Sequence, residues 1–157
     1  MDKINTGVDK DTRAKVIKSL NALLSDQYVL VVKLKKYHWN VKGNNFYPLH
    51  LLFDSQYEIM LTIIDDTAEV IRQLGGESLG SMQAFIDGAF LKEDNGIAPE
   101  ADTMSLNLTN DHEAVVRNMR DLIATDEVQA ITEVENFLQD LVHKHGKMAW
   151  FIRSYNL

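Results

Sequence analysis

The chain has no cysteine, which excludes disulfides and thiolate metal sites. That absence also favours, weakly, an intracellular protein. Only two prolines occur in 157 residues, so long helices can run uninterrupted. No apolar run approaches the length of a membrane span; the best is Tyr28 to Val32. Strand signals, internal repeats and low-complexity tracts are missing. The first residues, MDKINTGVDKDTRAK, are polar and of mixed charge, unlike a secretory signal. Positive charge is in short supply: the formal net charge is −7, which opposes non-specific nucleic-acid binding and favours attraction of cations. The expectation is one domain over residues 1–157 with a short flexible N-terminal arm over about residues 1–10, located in the cytoplasm.

What is present is helical periodicity. A first helix is expected over 11–40, with Leu20, Leu23, Gln27, Val31, Leu34 and His38 on one face. A second is expected over 45–74, capped by Asn44 or Asn45, with Pro48 in its first turn and Gly75-Gly76 at its end. Ser81 can cap a short helix over 82–87. A third long helix is expected over 105–124, and a fourth over 126–155 with Ile131, Val134, Leu138, Leu141, His145, Met148 and Ile152 in phase. Short connections make the first and second helices, and the third and fourth, antiparallel neighbours. The link between them is long enough to cross the bundle. The expected fold is all-α: a four-helix bundle with one long crossover carrying a short extra helix.

The second helix carries two stripes. With Leu49 at zero and about 100° per residue, Phe53, Met60, Ile64 and Ile71 fall near 40°, 20°, 60° and 40°. His50, Asp54, Asp65 and Glu69 fall near 100°, 140°, 160° and 200°, away from that apolar face. Asp54 and Asp65 are eleven residues apart, roughly 16 Å at 1.5 Å per residue, too far to share an ion within one chain. The midpoint of His50 and Glu69 nevertheless coincides with that of Asp54 and Asp65, between Ile59 and Met60. A second copy packed antiparallel about a dyad there brings His50 and Asp54 opposite the other copy's Glu69 and Asp65. His38 joins His50 across the short turn. The expected site is His38 and His50 from one subunit with Asp65 and Glu69 from the other, and Asp54 holding a second metal or a bridging water. Carboxylates on a helix are usually a solvated face. The shared midpoint and the two histidines weigh against that reading here. Imidazole with carboxylate suits iron, manganese or zinc.

These residues carry a family resemblance. HWNVKG, then F, LH, LFD and DxxAE, together with the terminal HGKMAWFIRS, resemble the Dps family, the DNA-binding proteins from starved cells, or miniferritins, whose fold is ferritin-like. The likeness spans nearly the whole chain. It implies a hollow homo-dodecamer with a ferroxidase centre at two-fold interfaces, carried onto His38, His50 and Asp54 of one chain and Asp65 and Glu69 of the next. It implies Fe(II) oxidation, preferentially by hydrogen peroxide, storage of ferric mineral, and suppression of hydroxyl-radical formation under oxidative stress. Trp39 would lie near the centre. Zinc or manganese would be competing occupants. Two departures stand out. The family often has Arg after the site Glu, where this chain has Val70. The lysine-rich tail of its DNA binders is also missing: residues 1–18 hold five basic side chains against three acidic, and the chain ends in RSYNL. DNA binding, with nucleoid association, is therefore the alternative reading rather than the leading one.

Other features have plainer readings. Asp126, Glu127 and Glu133 suit helix N-termini, with a pore lining as the lesser reading. His112 and His145 fall on apolar faces and His143 faces outward; Tyr28, Trp150 and Phe151 read as core or subunit interface. A metal oxidase with its site inside one chain is disfavoured, because the Glu-x-x-His pairs such bundles use do not occur; Asp140-x-x-His143 comes nearest.

Overall fold

The computed structural model describes residues 4–155. The start of the expected arm and the last two residues of RSYNL lie outside the described residues. The described residues form six helices: α1 Lys10–Asn40, α2 Phe46–Gln73, α3 Met82–Gly88, α4 Ala101–Ile123, α5 Asp126–Gln129 and α6 Thr132–Tyr155. Among the described residues there is no strand, and no helix is long and apolar enough to cross a membrane.

Local chemistry sets the helix ends. Asp9 caps α1, its carboxylate accepting from the Thr12 backbone N–H at 2.9 Å. Asn45 stands at the N-cap of α2 but makes no side-chain cap bond. The α2 C-terminus closes with Gly76 N–H donating to Ile71 O at 2.9 Å and Gly75 N–H to Arg72 O at 3.0 Å. That pairing needs a left-handed residue, and Gly75 supplies it at φ +87. Ser81 caps α3 as expected, accepting from Ala84 N–H at 3.2 Å.

The four long helices bury the faces that periodicity marks. Leu20, Leu23, Gln27, Val31, Leu34 and His38 of α1 are all buried, as are Leu49, Phe53, Met60, Ile64 and Ile71 of α2. Helix α1 packs chiefly on α2, and α4 on α6. Polar contacts fix the register between the pairs: Lys33 Nζ to Asp111 Oδ2 at 2.5 Å, Asn107 Nδ2 to Tyr37 Oη at 3.0 Å, and Gln56 Nε2 to Met148 O at 3.0 Å. The crossover climbs beside α1. Asn21 holds Glu77 O and Leu79 N–H, Asp26 Oδ1 accepts from the N–H groups of Phe90 and Leu91 at 2.9 Å, and Lys36 donates to Asp94 O and Gly96 O. Tyr28 stacks on Phe85 with ring centroids 3.8 Å apart.

Two expectations need correction. Helix α4 begins at Ala101 rather than near Ser105, which puts Pro99 just outside its first turn. The expected fourth helix is broken: α5 ends at Gln129, and Ile131 accepts from the N–H groups of Val134 and Glu135 to open α6. Trp150 and Phe151 read as core or subunit interface; at 54% and 43% exposed, neither lies in this chain's own core, and the interface alternative stands untouched.

Candidate metal centre

The turn between α1 and α2 is short because Val41 and Gly43 (φ +97) reverse the chain within five residues. It sets His38, near the last turn of α1, against His50 in the second turn of α2. The rings stack with centroids 3.8 Å apart and planes 23° from parallel. Each ring is held by the other residue's backbone: His38 Nδ1 lies 2.8 Å from His50 O, and His50 Nδ1 2.8 Å from His38 O. A carbonyl oxygen only accepts, so both Nδ1 atoms carry the proton. In the neutral rings both Nε2 atoms then present a lone pair. This is the outer-shell bond that fixes tautomer and ring direction in metal-binding histidines. It is also the observation that fits the pair to a transition-metal ion.

Asp54 completes this cluster, one turn along α2 from His50. Its Oδ1 lies 3.6 Å from His38 Nε2 and 2.8 Å from Lys35 Nζ. The hydrogen bond from Lys35 holds the Asp54 carboxyl below its usual range, with the nearby imidazoles contributing. Lys35 also sits 4.1 Å over the Tyr57 ring. Sequence reading missed Lys35, although it precedes His38 by three residues and so shares its helix face.

Asp65 and Glu69 are exposed on α2, on the side away from the core. They are not brought to the histidines. Among the described residues no group of three or more His, Asp or Glu can hold an ion. One chain therefore gathers His38, His50 and Asp54, and carries Asp65 and Glu69 roughly three and four turns beyond Asp54 along the helix. The surroundings are apolar and open: Trp39 is 69% exposed, Tyr47 67%, and Phe46, Leu51, Ile59 and Leu61 are also exposed. Val70 is partly buried against the core.

The other candidates separate as expected. His143 is exposed, while His112 and His145 are fully buried. Glu127 is tied to Lys15 at 2.7 Å, and Asp126 and Glu127 occupy the first turn of α5.

A helical bundle with one long crossover, bearing carboxylates and paired imidazoles, is a ferritin-type architecture. The family description for the ferritin-like domain matches residues 17–156. A low temperature-induced protein of Nostoc sp. is 43% identical over 157 residues, covering 99% of this chain and 87% of that protein. The DNA protection during starvation protein of Brevibacillus brevis is 29% identical, covering 87% of this chain and 91% of its own length. Among solved structures, DpsC from Streptomyces coelicolor superposes with a TM-score of 0.93 at 26% identity, covering 99% of this chain and 91% of that one. The chain belongs to the ferritin-like family and, within it, to the Dps miniferritins.

Proposed function

We propose that this protein is an iron-oxidising, iron-storing shell whose oxidation centres form between subunits. The reciprocal bonds between His38 and His50 carry the reading, because they leave two Nε2 lone pairs free, that of His38 beside the Asp54 carboxylate. Asp65 and Glu69 of an antiparallel partner complete each centre about a dyad between Ile59 and Met60. Two imidazoles and two carboxylates leave a bound divalent ion near neutrality, and a further carboxylate favours the trivalent product. Each dyad makes two such centres, and the homo-oligomer is a dodecamer. The exposed Trp39, Tyr47, Leu51 and Ile59 supply apolar surface suited to such a contact.

Iron here is the substrate. Two ferrous ions each release one electron to one hydrogen peroxide. Its O–O bond breaks, two hydroxides form, and the ferric ions hydrolyse to mineral with release of protons. Removing peroxide two electrons at a time avoids hydroxyl radical. Lys35 keeps Asp54 ionised and gives way when the cation arrives. Zinc or manganese would compete for the same donors. The −7 charge speaks for cation entry and against DNA as the main partner.

The test mixes chains. His50→Ala and Asp65→Ala proteins should each assemble yet oxidise Fe(II) slowly with peroxide. Reassembled together, they should regain part of the wild-type rate, because some interfaces then hold one intact centre. Mixed shells no faster than either parent would sink the shared-centre reading, and assembly mass reports the subunit number.

A further inference from the structure

The bundle interior holds polar groups that the interface centre does not use. His112 on α4 and His145 on α6 are both fully buried. Their Nδ1 atoms lie 3.0 Å apart, with ring centroids at 5.1 Å and planes at 59°. That contact holds a single proton. One ring therefore carries Nδ1–H and a bare Nε2, and the other carries Nε2–H. Neither Nε2 has a hydrogen-bond partner. Gln56 of α2, 2% exposed, is oriented by its Nε2–H bond to Met148 O, and its Oε1 is also buried without a partner. Met148 follows His145 by three residues, so the Gln56 bond meets α6 about one helical turn along from the His145 position. One donor and two acceptors are thus enclosed with nothing to bond, where native interiors pair nearly all such groups.

A metal ion does not fit these groups. The two Nδ1 atoms could share one, but the Nε2 atoms point away from it and no carboxylate joins them. A dication ringed by neutral donors in a buried site is uncompensated. Burial also pushes both imidazoles below their ordinary range, His145 to about 4, so the pair is neutral at pH 7. The missing partner is neutral, small, and both donates and accepts.

We propose that His112, His145 and Gln56 form a buried water-binding site inside each bundle. His112 is the Nδ1–H tautomer and donates to His145 Nδ1. His145 Nε2–H reaches Gln56 Oε1 through water, and the bare Nε2 of His112 accepts from water on its own side. Entry is from the cleft of about 390 Å³ between α2 and α6, which Gln56 and Met148 both line. The site is independent of the interface centre and survives if that reading fails.

The test is a high-resolution crystal structure of the assembled wild-type protein beside His112→Leu/His145→Leu and His145→Leu. Ordered water within hydrogen-bond distance of an Nε2 atom and of Gln56 Oε1 is expected, and it should vanish in the double variant. The double variant should melt at or above the wild-type temperature, since both partners are replaced by apolar groups of similar size. His145→Leu alone should melt lower, because the His112 Nδ1–H is left buried without a partner. Density for a metal between the Nδ1 atoms, or only carbon atoms packed against both Nε2 atoms, overturns the proposal. So does a double variant that melts below the single one.

Discussion

Acidification from pH 7 to pH 4 should load two buried groups in opposite directions, and Asp26→Asn should separate them. Burial lowers His145 from 6.5 to about 4. Its folded state therefore refuses a proton that the unfolded chain takes up below pH 6.5. Stability is complete above that pH and is lost as the pH falls toward 4, by about 3 kcal/mol at 1.36 kcal/mol per pKa unit. Asp26 behaves the other way. Burial raises it from 3.8 to about 6, against the two backbone N–H groups of Leu91 and Phe90 that favour its charge. Its folded state keeps a proton that the unfolded chain has released, so stability is gained as the pH falls from 6 toward 3.8, again by about 3 kcal/mol. His112, also lowered by burial, adds to the first trend, and Asp111, raised by burial, adds to the second. In the wild-type chain the Asp26 trend should then offset part of the loss that the histidines cause between pH 7 and 4. Asn at position 26 still offers an oxygen to Phe90 and Leu91 but cannot titrate. The variant should be more stable than wild type at pH 7 and lose about 3 kcal/mol per chain more than wild type by pH 4. Denaturant unfolding followed by circular dichroism, at fixed protein concentration and several pH values, reads the difference. Parallel profiles for the two proteins would refute the reasoning.

Further outcomes follow from the same contacts. Lys35→Met frees Asp54 of its cationic neighbour and should tighten Fe(II) or Zn(II) binding several-fold in anaerobic calorimetry; unchanged affinity would mean that Lys35 does not compete with the ion. His38→Ala and His50→Ala should each weaken metal binding strongly and to a similar degree, because each removes one Nε2 donor and the stacking face of the other ring, while the backbone carbonyl that orients that other ring stays in place; a negligible effect of either would detach that ring from the binding. Gly75→Ala places a side chain at φ +87, where an added Cβ would also clash with Ile4 Cδ1. It should cost on the order of 1–3 kcal/mol, seen as a lower thermal midpoint with helix content retained.

The bundle was legible because its apolar residues recur at helical spacing, and burial follows those faces almost residue by residue from Leu20 to His38 and from Leu49 to Ile71. The break at Ala130 and Ile131 was not legible. Neither residue is a helix breaker, and Ile131 keeps the phase of Val134 and Leu138, so periodicity runs straight across the interruption. The early start of α4 was hidden because Ala101, Asp102 and Thr103 carry little apolar signal. Within the site, the residue types and spacing located His38, His50 and Asp54 on one chain. The reciprocal carbonyl bonds were out of reach, because they depend on how tightly the turn through Gly43 brings two helix ends together. Lys35 was passed over because a lysine on a half-buried face is ordinarily only a solvated charge on an apolar stem.

The mutual hold between His38 and His50 ties each ring to the main chain of the opposite helix rather than to the other ring. Turning one imidazole breaks its own bond to the opposite carbonyl and removes a stacking face, but leaves its neighbour's bond in place. Each Nε2 is therefore aimed separately, and both directions are set by the five-residue bend that brings the two helix ends together. A cation reaching this corner would meet donors fixed by the backbone, and loosening that bend would blur both directions at once.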